Sequence, residues 1–197
     1  MKNQKRRQET RNKILNTASF FFAQKGYDGT GVAEICQEAN ISKGAFYYHF
    51  RSKEEVFLEL INSWLEQLEE NLKEIDSKST DVPETLVQMS FALKEIFQFP
   101  DRQAPLFLEL WVKASREETI REITLAPYRK YQQIFARLME EGIKEGSIKN
   151  IDPHEGAQAI LSLASGMFLQ GLLDPEMEWE KTAPRVLNII LEGIRKE

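Results

Sequence analysis

The residue types best suited to chemistry lie near the start of the chain, in residues 40–53, which read NISKGAFYYHFRSK. Lys43 can donate hydrogen bonds to a guanine edge, and the glycine and alanine that follow it let a backbone approach a surface closely. Tyr47, Tyr48 and His49 carry hydroxyl and imidazole groups on rigid rings, and such groups suit phosphate oxygens. The stretch therefore has the composition of a contact with a polyanion.

The sequence offers little for catalysis. We find no phosphate-binding loop, nucleophile elbow, paired-histidine zinc motif or dinucleotide fingerprint, and the chain has two histidines, His49 and His154. No cysteine pair accompanies them, so the pattern does not favour a metal site. The single cysteine, Cys36, has no basic activator in its own helix and is expected to be a small buried hydrophobe. We predict no enzyme activity, no cofactor and no metal.

The net charge of −5 conceals an asymmetry along the chain. Residues 1–53 contain ten Lys and Arg against four Asp and Glu, whereas the remaining 144 residues contain 16 basic and 27 acidic groups. A basic head on an acidic body allows the head to approach a polyanion while the body is repelled. Chance clustering of charges is the alternative explanation.

The composition is that of a globular protein, with 42% hydrophobic and 29% charged residues. A single cysteine forms no intramolecular disulfide, and the start of the chain lacks the apolar stretch of a secretory signal, so we expect a cytoplasmic protein. The longest uncharged stretch, residues 156–173, is slightly short for a bilayer. We interpret it as a buried helix, with a membrane span as the alternative.

Apolar residues recur at helical spacing almost throughout, which predicts an all-α chain. Gly26 is placed to end the first helix in the left-handed conformation, and Asn40 is expected to make a tight turn in the same conformation. Ser52 with Glu55 forms a capping box. The predicted helices cover residues 8–25, 32–39, 44–50, a long segment from Ser52, then Pro83 to Phe99, 104–117, 120–144, 153–173 and 180–196.

Two short helices joined by a tight turn and supported by the first helix make a helix-turn-helix, whose last helix fits a DNA major groove. Residues 44–50 are that last helix. Phe46 and Phe50 are four residues apart and are expected to pack in the core, whereas Ser42 is expected to cap the helix. The basic KNQKRR segment either reaches the DNA or forms a disordered tail.

The stretch GYDGTGVAEICQEANISKGAFYYHFRSKEEVF resembles the DNA-binding domain of the TetR family of transcriptional regulators, because its SKG, YYHF and SKEE elements occur in that order and spacing. The resemblance is close over residues 8–60 and weaker beyond them. The chain departs from the family pattern at Asn40, where glycine is commoner, and at Gly31, where threonine often caps the second helix. Gly31 leaves that helix less firmly started and removes one possible phosphate contact.

The resemblance implies a three-helix DNA-binding domain over residues 1–53 and a helical domain for effector binding and dimerisation over residues 54–197. It further implies two groups of DNA contacts. The phosphate contacts would be Thr30, Ser42, Tyr47, His49 and Lys53, and the residues nearest the bases would be Lys43, Gly44, Ala45 and Tyr48.

The last two predicted helices are the candidate dimer surface, since helix-turn-helix proteins usually bind as two-fold dimers. A small-residue face permits close approach and an aliphatic stripe adds apolar area, although packing within one chain explains some of these residues equally well. The candidate residues are Ala159, Ser162, Gly166, Val186, Leu187, Ile190 and Ile194.

Large aromatic and methionine side chains in the middle of the chain suit a pocket for a mostly apolar small molecule, although most of them can also be plain core. The candidates are Met89, Phe107, Trp111, Tyr131, Phe135 and Phe168. The resemblance then predicts a homodimeric, ligand-responsive repressor of a palindromic DNA operator. A DNA-binding architectural protein without a ligand is the alternative.

Overall fold

The computed structural model describes residues 2–78, 81–97, 104–174 and 176–195, and these residues are almost entirely helical. The described helices follow the predicted order, and most ends agree with the predictions within two residues. They are α1 (Lys2–Lys25), α2 (Val32–Glu38), α3 (Lys43–His49), α4 (Lys53–Lys78), α5 (Val82–Phe97), α6 (Ala104–Arg116), α7 (Glu118–Glu145), α8 (Pro153–Leu173) and α9 (Trp179–Ile194). The predicted all-α fold is confirmed.

The described residues form two compact units. The first contains residues 2–66 and 104–112, and the second contains residues 67–78, 81–97, 113–174 and 176–195. The first part of α4 and most of α6 therefore belong with the helix-turn-helix. The expected division into domains after residue 53 stays a prediction. The predicted end of the fifth helix, Phe99 and Pro100, lies outside the described residues.

Left-handed backbone at two positions shapes the helix-turn-helix. Gly26 has φ 77° and ends α1, and its amide donates to the Phe22 carbonyl at 2.9 Å. Asn40 has φ 53° and is the one non-glycine residue with positive φ in the described part of the chain. Because asparagine tolerates this conformation better than most residues, α2 and α3 can meet across a short turn. Both sequence predictions are confirmed.

An aromatic core packs α1 and α3 against the start of α4. Phe22, Phe46, Phe50 and Phe57 are each at most 1% exposed. The rings of Phe22 and Phe57 meet edge to face with centroids 5.9 Å apart, a geometry that aromatic pairs favour. Cys36 is 4% exposed, and burial raises the pKa of its thiol, as expected of a buried hydrophobe.

The core of the second unit joins the end of α4 with α5, α7, α8 and α9. Met139 and Ala157 are fully buried in this cluster. Helix α8 begins as predicted, because the Asp152 carboxylate accepts from the amides of His154 and Glu155 while Pro153 occupies the first turn.

Helix α8 is less buried than the sequence predicts. It is the one helix of the described ranges whose length and composition would suit a membrane span, and 28% of its most apolar stretch is buried. Apolar helices of soluble proteins share that composition, so it is weak evidence for a span. The exposed positions include Ala159, Ser162, Leu169 and Leu173, which share one side of the helix.

Candidate nucleic-acid interface

Helix α3 has one buried and one exposed side. Phe46 and Phe50 are 0% and 1% exposed and fix the helix to the core, whereas Tyr47 and Tyr48 are 55% and 68% exposed. Burying large aromatic side chains normally stabilises a fold, so two exposed tyrosines on a short helix indicate a surface that meets a partner. The phenylalanines are core, as predicted.

The start of α3 is open enough for the close approach of a groove. The Ser42 hydroxyl accepts from the Ala45 amide at 3.1 Å, so Ser42 is the predicted cap. Lys43 and Gly44 are exposed and Ala45 is half-buried. A β-carbon built on Gly44 would meet only the Ser42 hydroxyl oxygen, at an ordinary 3.7 Å. The fold itself therefore does not require glycine at this position.

Because of that geometry, Gly44→Ala is expected to change the stability of the fold and its DNA binding in opposite directions. Alanine is favoured over glycine in a helix by about 1 kcal/mol, and no fold contact opposes the methyl group, so the melting temperature should rise slightly. If the backbone of Gly44 approaches the bases, the same methyl group should weaken operator binding by about tenfold, roughly 1.4 kcal/mol. Calorimetric unfolding measures the melting temperature, and fluorescence anisotropy with a labelled operator measures the affinity. An unchanged operator affinity would show that Gly44 lies away from the DNA.

His49 is half-buried at the end of α3 and is held neutral. Burial, followed by the nearby Arg7 and Arg11 charges, lowers the pKa of its imidazole. A neutral imidazole still donates one hydrogen bond to a phosphate. Its ring meets the Tyr48 ring edge to face, with centroids 5.1 Å apart.

Thr30 and Lys53 have partners within the protein, and their implied role as phosphate contacts stays a prediction. Thr30 is 2% exposed, and its hydroxyl donates to the Gly26 carbonyl at 2.9 Å. The Lys53 ammonium donates to the carbonyls of Tyr27 and Thr30 at 2.6 and 2.8 Å and lies 4.0 Å from the centroid of the Tyr27 ring. Both side chains fix the α1–α2 turn. Lys53→Ala is therefore expected to lower the stability of the fold.

A residue that the sequence analysis missed also holds this turn. The Glu109 carboxylate of α6 accepts from the Tyr27 amide at 2.8 Å. Its other oxygen lies 2.8 Å from the position that a β-carbon on Gly26 would take. Glu109 lies 82 residues from Tyr27, so no local pattern indicates the pair. The α2 start agrees with expectation, since Gly31 is extended and provides no side-chain cap.

The KNQKRR segment is helical from Lys2, as part of α1. Further along the same helix, the Arg11 guanidinium lies over the Phe50 ring at 5.0 Å and forms an ion pair with Glu59 of α4. These contacts place this part of α1 alongside the end of α3 and the first turns of α4. The expected alternative of a disordered tail does not apply to the described part of this segment.

The six candidate pocket residues fall in both compact units. Phe107 and Trp111 belong to the first, where the Phe107 ring is 5.6 Å from the Trp64 ring. In the second unit, Met89 and Phe135 are 3% and 9% exposed in the core, Tyr131 packs against that core, and Phe168 is half-buried. Burial, with the Glu69 charge second, raises the pKa of the Tyr131 phenol, so it stays protonated and can donate.

A separate open cleft of about 500 Å³ lies between the start of α5 and the end of α9, and none of the six candidates lines it. Five of its eight lining residues are polar or charged, and three of these are acidic. The lining residues are Asp81, Pro83, Glu84, Val87, Asn188, Leu191, Glu192 and Arg195.

The candidate dimer residues divide into surface and core. Ala159 and Ser162 are exposed, and a β-carbon on Gly166 would meet nothing within 4 Å. Of the α9 candidates, Leu187 is 4% exposed in the core, and Ile190 and Ile194 are partly buried and pack against it. Their place in a dimer surface stays a prediction. The remaining α9 candidate, Val186, packs on a small cluster around Met167, Trp179 and Ala183.

Exposed apolar residues that the sequence analysis missed extend the α8 surface. Leu169 and Leu173 are 38% and 86% exposed, and Ile189 of α9 is 69% exposed. The two leucines continue the spacing that begins at Ala159 and Ser162, with steps of three and four residues, and this spacing could have identified them. We call Ala159, Ser162, Gly166, Leu169 and Leu173 the α8 face.

Within the described residues, no group of three or more His, Cys, Asp and Glu side chains could hold a metal ion. The two most exposed aromatic side chains of the described residues, Tyr47 and Tyr48, lie instead on α3. The exposed side of α3 is therefore the best-defined candidate binding surface among the described residues.

Comparison with known proteins agrees with this geometry. The family profile described as bacterial regulatory proteins, tetR family, matches residues 14–60, and the profile described as BetI-type transcriptional repressor, C-terminal, matches residues 86–196. The uncharacterized HTH-type transcriptional regulator YfiR of Bacillus subtilis is 30% identical over 144 residues, which are 71% of this chain and 68% of that protein.

The biofilm operon icaADBC HTH-type negative transcriptional regulator IcaR of Staphylococcus aureus is 30% identical over 100 residues, 51% of this chain and 53% of that protein. Solved structures share the fold over nearly the whole chain. A protein from Saccharomonospora viridis crystallised with choline has a TM-score of 0.84, 24% identity and coverage of 96% and 99%. A TetR transcription regulator from Haloarcula marismortui has a TM-score of 0.84, 16% identity and coverage of 96% and 100%.

Two family profiles that together span most of the chain, relatives named as HTH-type regulators, and an exposed recognition helix on a buried aromatic base lead to one conclusion. The chain belongs to the TetR family of transcriptional regulators and is a DNA-binding protein of the helix-turn-helix type.

Proposed function

We propose that this protein is a homodimeric repressor that leaves a palindromic operator when a small, mostly apolar molecule binds its second domain. The observation that carries the DNA-binding part is the exposed side of α3, where Tyr47 and Tyr48 are 55% and 68% exposed beside an open helix start at Lys43 and Gly44. A helix with small residues at its start and donors along one side suits the major groove.

The α8 face supports the dimer. A single helix-turn-helix makes few contacts, so such proteins commonly place two recognition helices about one DNA turn apart, roughly 34 Å. Ala159, Ser162 and Gly166 allow a second helix to approach closely, and Leu169 with Leu173 supply apolar area that one chain leaves exposed. Association through this face would cover that apolar surface.

Two relatives support the regulatory part. The Saccharomonospora viridis protein was crystallised with choline, and IcaR is named a negative regulator. In this chain, the ligand would contact the candidate aromatic and methionine side chains of the second unit, Met89, Tyr131, Phe135 and Phe168. Binding would favour a conformation in which the two recognition helices of the dimer no longer match the operator spacing.

Selection of bound DNA from a random pool tests the DNA-binding proposal. We expect a palindrome whose half-sites are centred about one helical turn apart, roughly 34 Å. Binding with a steep dependence on salt and no preferred sequence would contradict the proposal and favour the architectural alternative.

A thermal-shift screen of small molecules, followed by operator titration, tests the regulatory proposal. We expect a molecule that raises the melting temperature of the protein to weaken operator binding, because it favours the form that does not bind DNA. The proposal fails if calorimetry shows that such a molecule binds while operator affinity is unchanged.

Ala159→Glu tests the α8 face. Ala159 is exposed within one chain, so the fold should remain intact, whereas a carboxylate buried in a close helix contact should separate the dimer. Light scattering coupled to size exclusion should then report a monomer. Ala33→Glu makes the same change at an exposed position of α2 and should leave the mass unchanged. If Ala159→Glu keeps the dimer mass of the parent protein, the dimer contact lies elsewhere.

A further inference from the structure

The first turns of α1 lie beside the exposed side of α3. The guanidinium carbon of Arg7 is 5.3 Å from the centroid of the Tyr48 ring. Four residues later, Arg11 makes the same type of contact with the Phe50 ring at 5.0 Å. Residues four apart share one side of a helix, so α1 carries a row of two arginines along α3.

The two arginines differ in their other partners. Arg11 is half-buried and pairs with the Glu59 carboxylate, so its charge is compensated within the protein. Arg7 is exposed, and no ion pair of Arg7 is seen among the residues the structure describes. Its charge therefore remains available at the rim of α3, and it is one of the charges that lower the pKa of His49.

Tyr48 is the most exposed aromatic residue of α3, at 68%, and its described ring contacts are Arg7 and His49. An exposed ring with few neighbours samples several rotamers, and ordering it on binding costs free energy. A cation over the ring face reduces that cost by favouring one orientation before DNA arrives.

We propose that Arg7 is a positioning residue for DNA reading, which holds the Tyr48 ring in its binding orientation and places a cation next to the base that Tyr48 meets. This inference rests on the proposed function, because it requires that Tyr48 contact the operator. It extends the recognition surface from α3 to the second turn of α1.

The contact can be tested without DNA. In the free protein, the ring current of Tyr48 should shift the NMR signal of the Arg7 side-chain NεH, and Tyr48→Ala should return that signal to its usual position. Tyr48→Phe keeps the ring and should keep the shift. An Arg7 signal that does not change in Tyr48→Ala would overturn the proposal, whatever the operator is.

Operator affinity tests the function of the contact through a double-mutant cycle. Arg7→Ala, Tyr48→Ala and the double variant are measured on the operator that the parent protein selects. Exposed cation–π pairs correspond to about 2- to 5-fold in an equilibrium constant, so Arg7→Ala should weaken binding by at least that factor with Tyr48 present and by less without it. Arg7→Lys should recover part of the loss.

Lys5→Ala provides the matched control. Lys5 lies two residues before Arg7 and therefore about 200° round the helix, yet its removal takes away the same charge. Its effect on affinity should be the same with and without Tyr48. Base preference gives an independent reading, since Arg7→Ala should relax the operator positions that Tyr48→Ala relaxes.

The outcomes separate the two proposals. A parent protein that selects no sequence contradicts the proposed function and removes the basis of this inference with it. A parent protein that selects an operator, with Arg7 and Tyr48 acting independently of each other, leaves the regulator intact and overturns the positioning role. Uniform weakening by Arg7→Ala across all sequences, with a reduced salt slope, would make Arg7 a phosphate contact instead.

Discussion

Lys43→Ala is expected to weaken operator binding by about 1–3 kcal/mol and to relax the preference for guanine at one position of each half-site. Lys43 is exposed at the first position of α3, next to a cap that leaves the helix start open. A lysine that donates to a guanine edge distinguishes bases, whereas a lysine on a phosphate does not. In a dimer the loss occurs in both half-sites, so this is the largest single-residue effect on affinity that we expect.

Competitive anisotropy with the selected operator and with single-base variants measures this effect. Lys144→Ala is the charge-matched control, because Lys144 is exposed in the last turn of α7, on the acidic part of the chain. It should leave base preference unchanged. If Lys43→Ala weakens all sequences equally, Lys43 contacts the backbone, and the assignment of base reading to the start of α3 is wrong.

Gly26→Ala is expected to destabilise the protein by about 2–5 kcal/mol. Left-handed backbone costs an alanine roughly 1–2 kcal/mol, and Gly26 has φ 77°. The new methyl group would also lie 2.8 Å from a Glu109 oxygen. That carboxylate would have to move, which weakens the bond it accepts from the Tyr27 amide, and a buried unsatisfied amide costs about 1–3 kcal/mol.

Chemical denaturation of Gly26→Ala, Glu109→Ala and the double variant separates these two contributions. With Glu109 removed, Gly26→Ala should cost only the backbone strain, about 1–2 kcal/mol. Costs that simply add would show that the methyl group does not disturb Glu109. Gly146→Ala is the backbone control, since Gly146 has φ 88° and a β-carbon there would meet nothing within 4 Å.

Local patterns were sufficient to predict most of the fold. Helix ends at Gly26, Asn40, Ser42 and Asp152 depend on backbone preferences and caps that extend over three or four residues, so the sequence indicates them directly. The buried pair Phe46 and Phe50 was predictable for the same reason, because their spacing assigns both to one side of α3.

Contacts between distant segments account for what the sequence analysis missed. Thr30 and Lys53 have the residue types of phosphate ligands, but their partners are carbonyls that only the folded α1–α2 turn brings close. The aliphatic stripe of α9 is a predicted dimer surface, and periodicity identifies an apolar side without identifying what covers it. Leu187 is covered within its own chain, whereas Leu173 is not.

The open α8 face has a consequence for gene dosage. If two chains must associate before either can hold both half-sites, then below the dimer dissociation constant the concentration of active regulator increases with the square of the copy number. Operator DNA would itself favour pairing, since it binds only the paired form. A twofold fall in expression would then lower the concentration of the DNA-binding dimer about fourfold, which makes the response to expression level steeper before any effector is present.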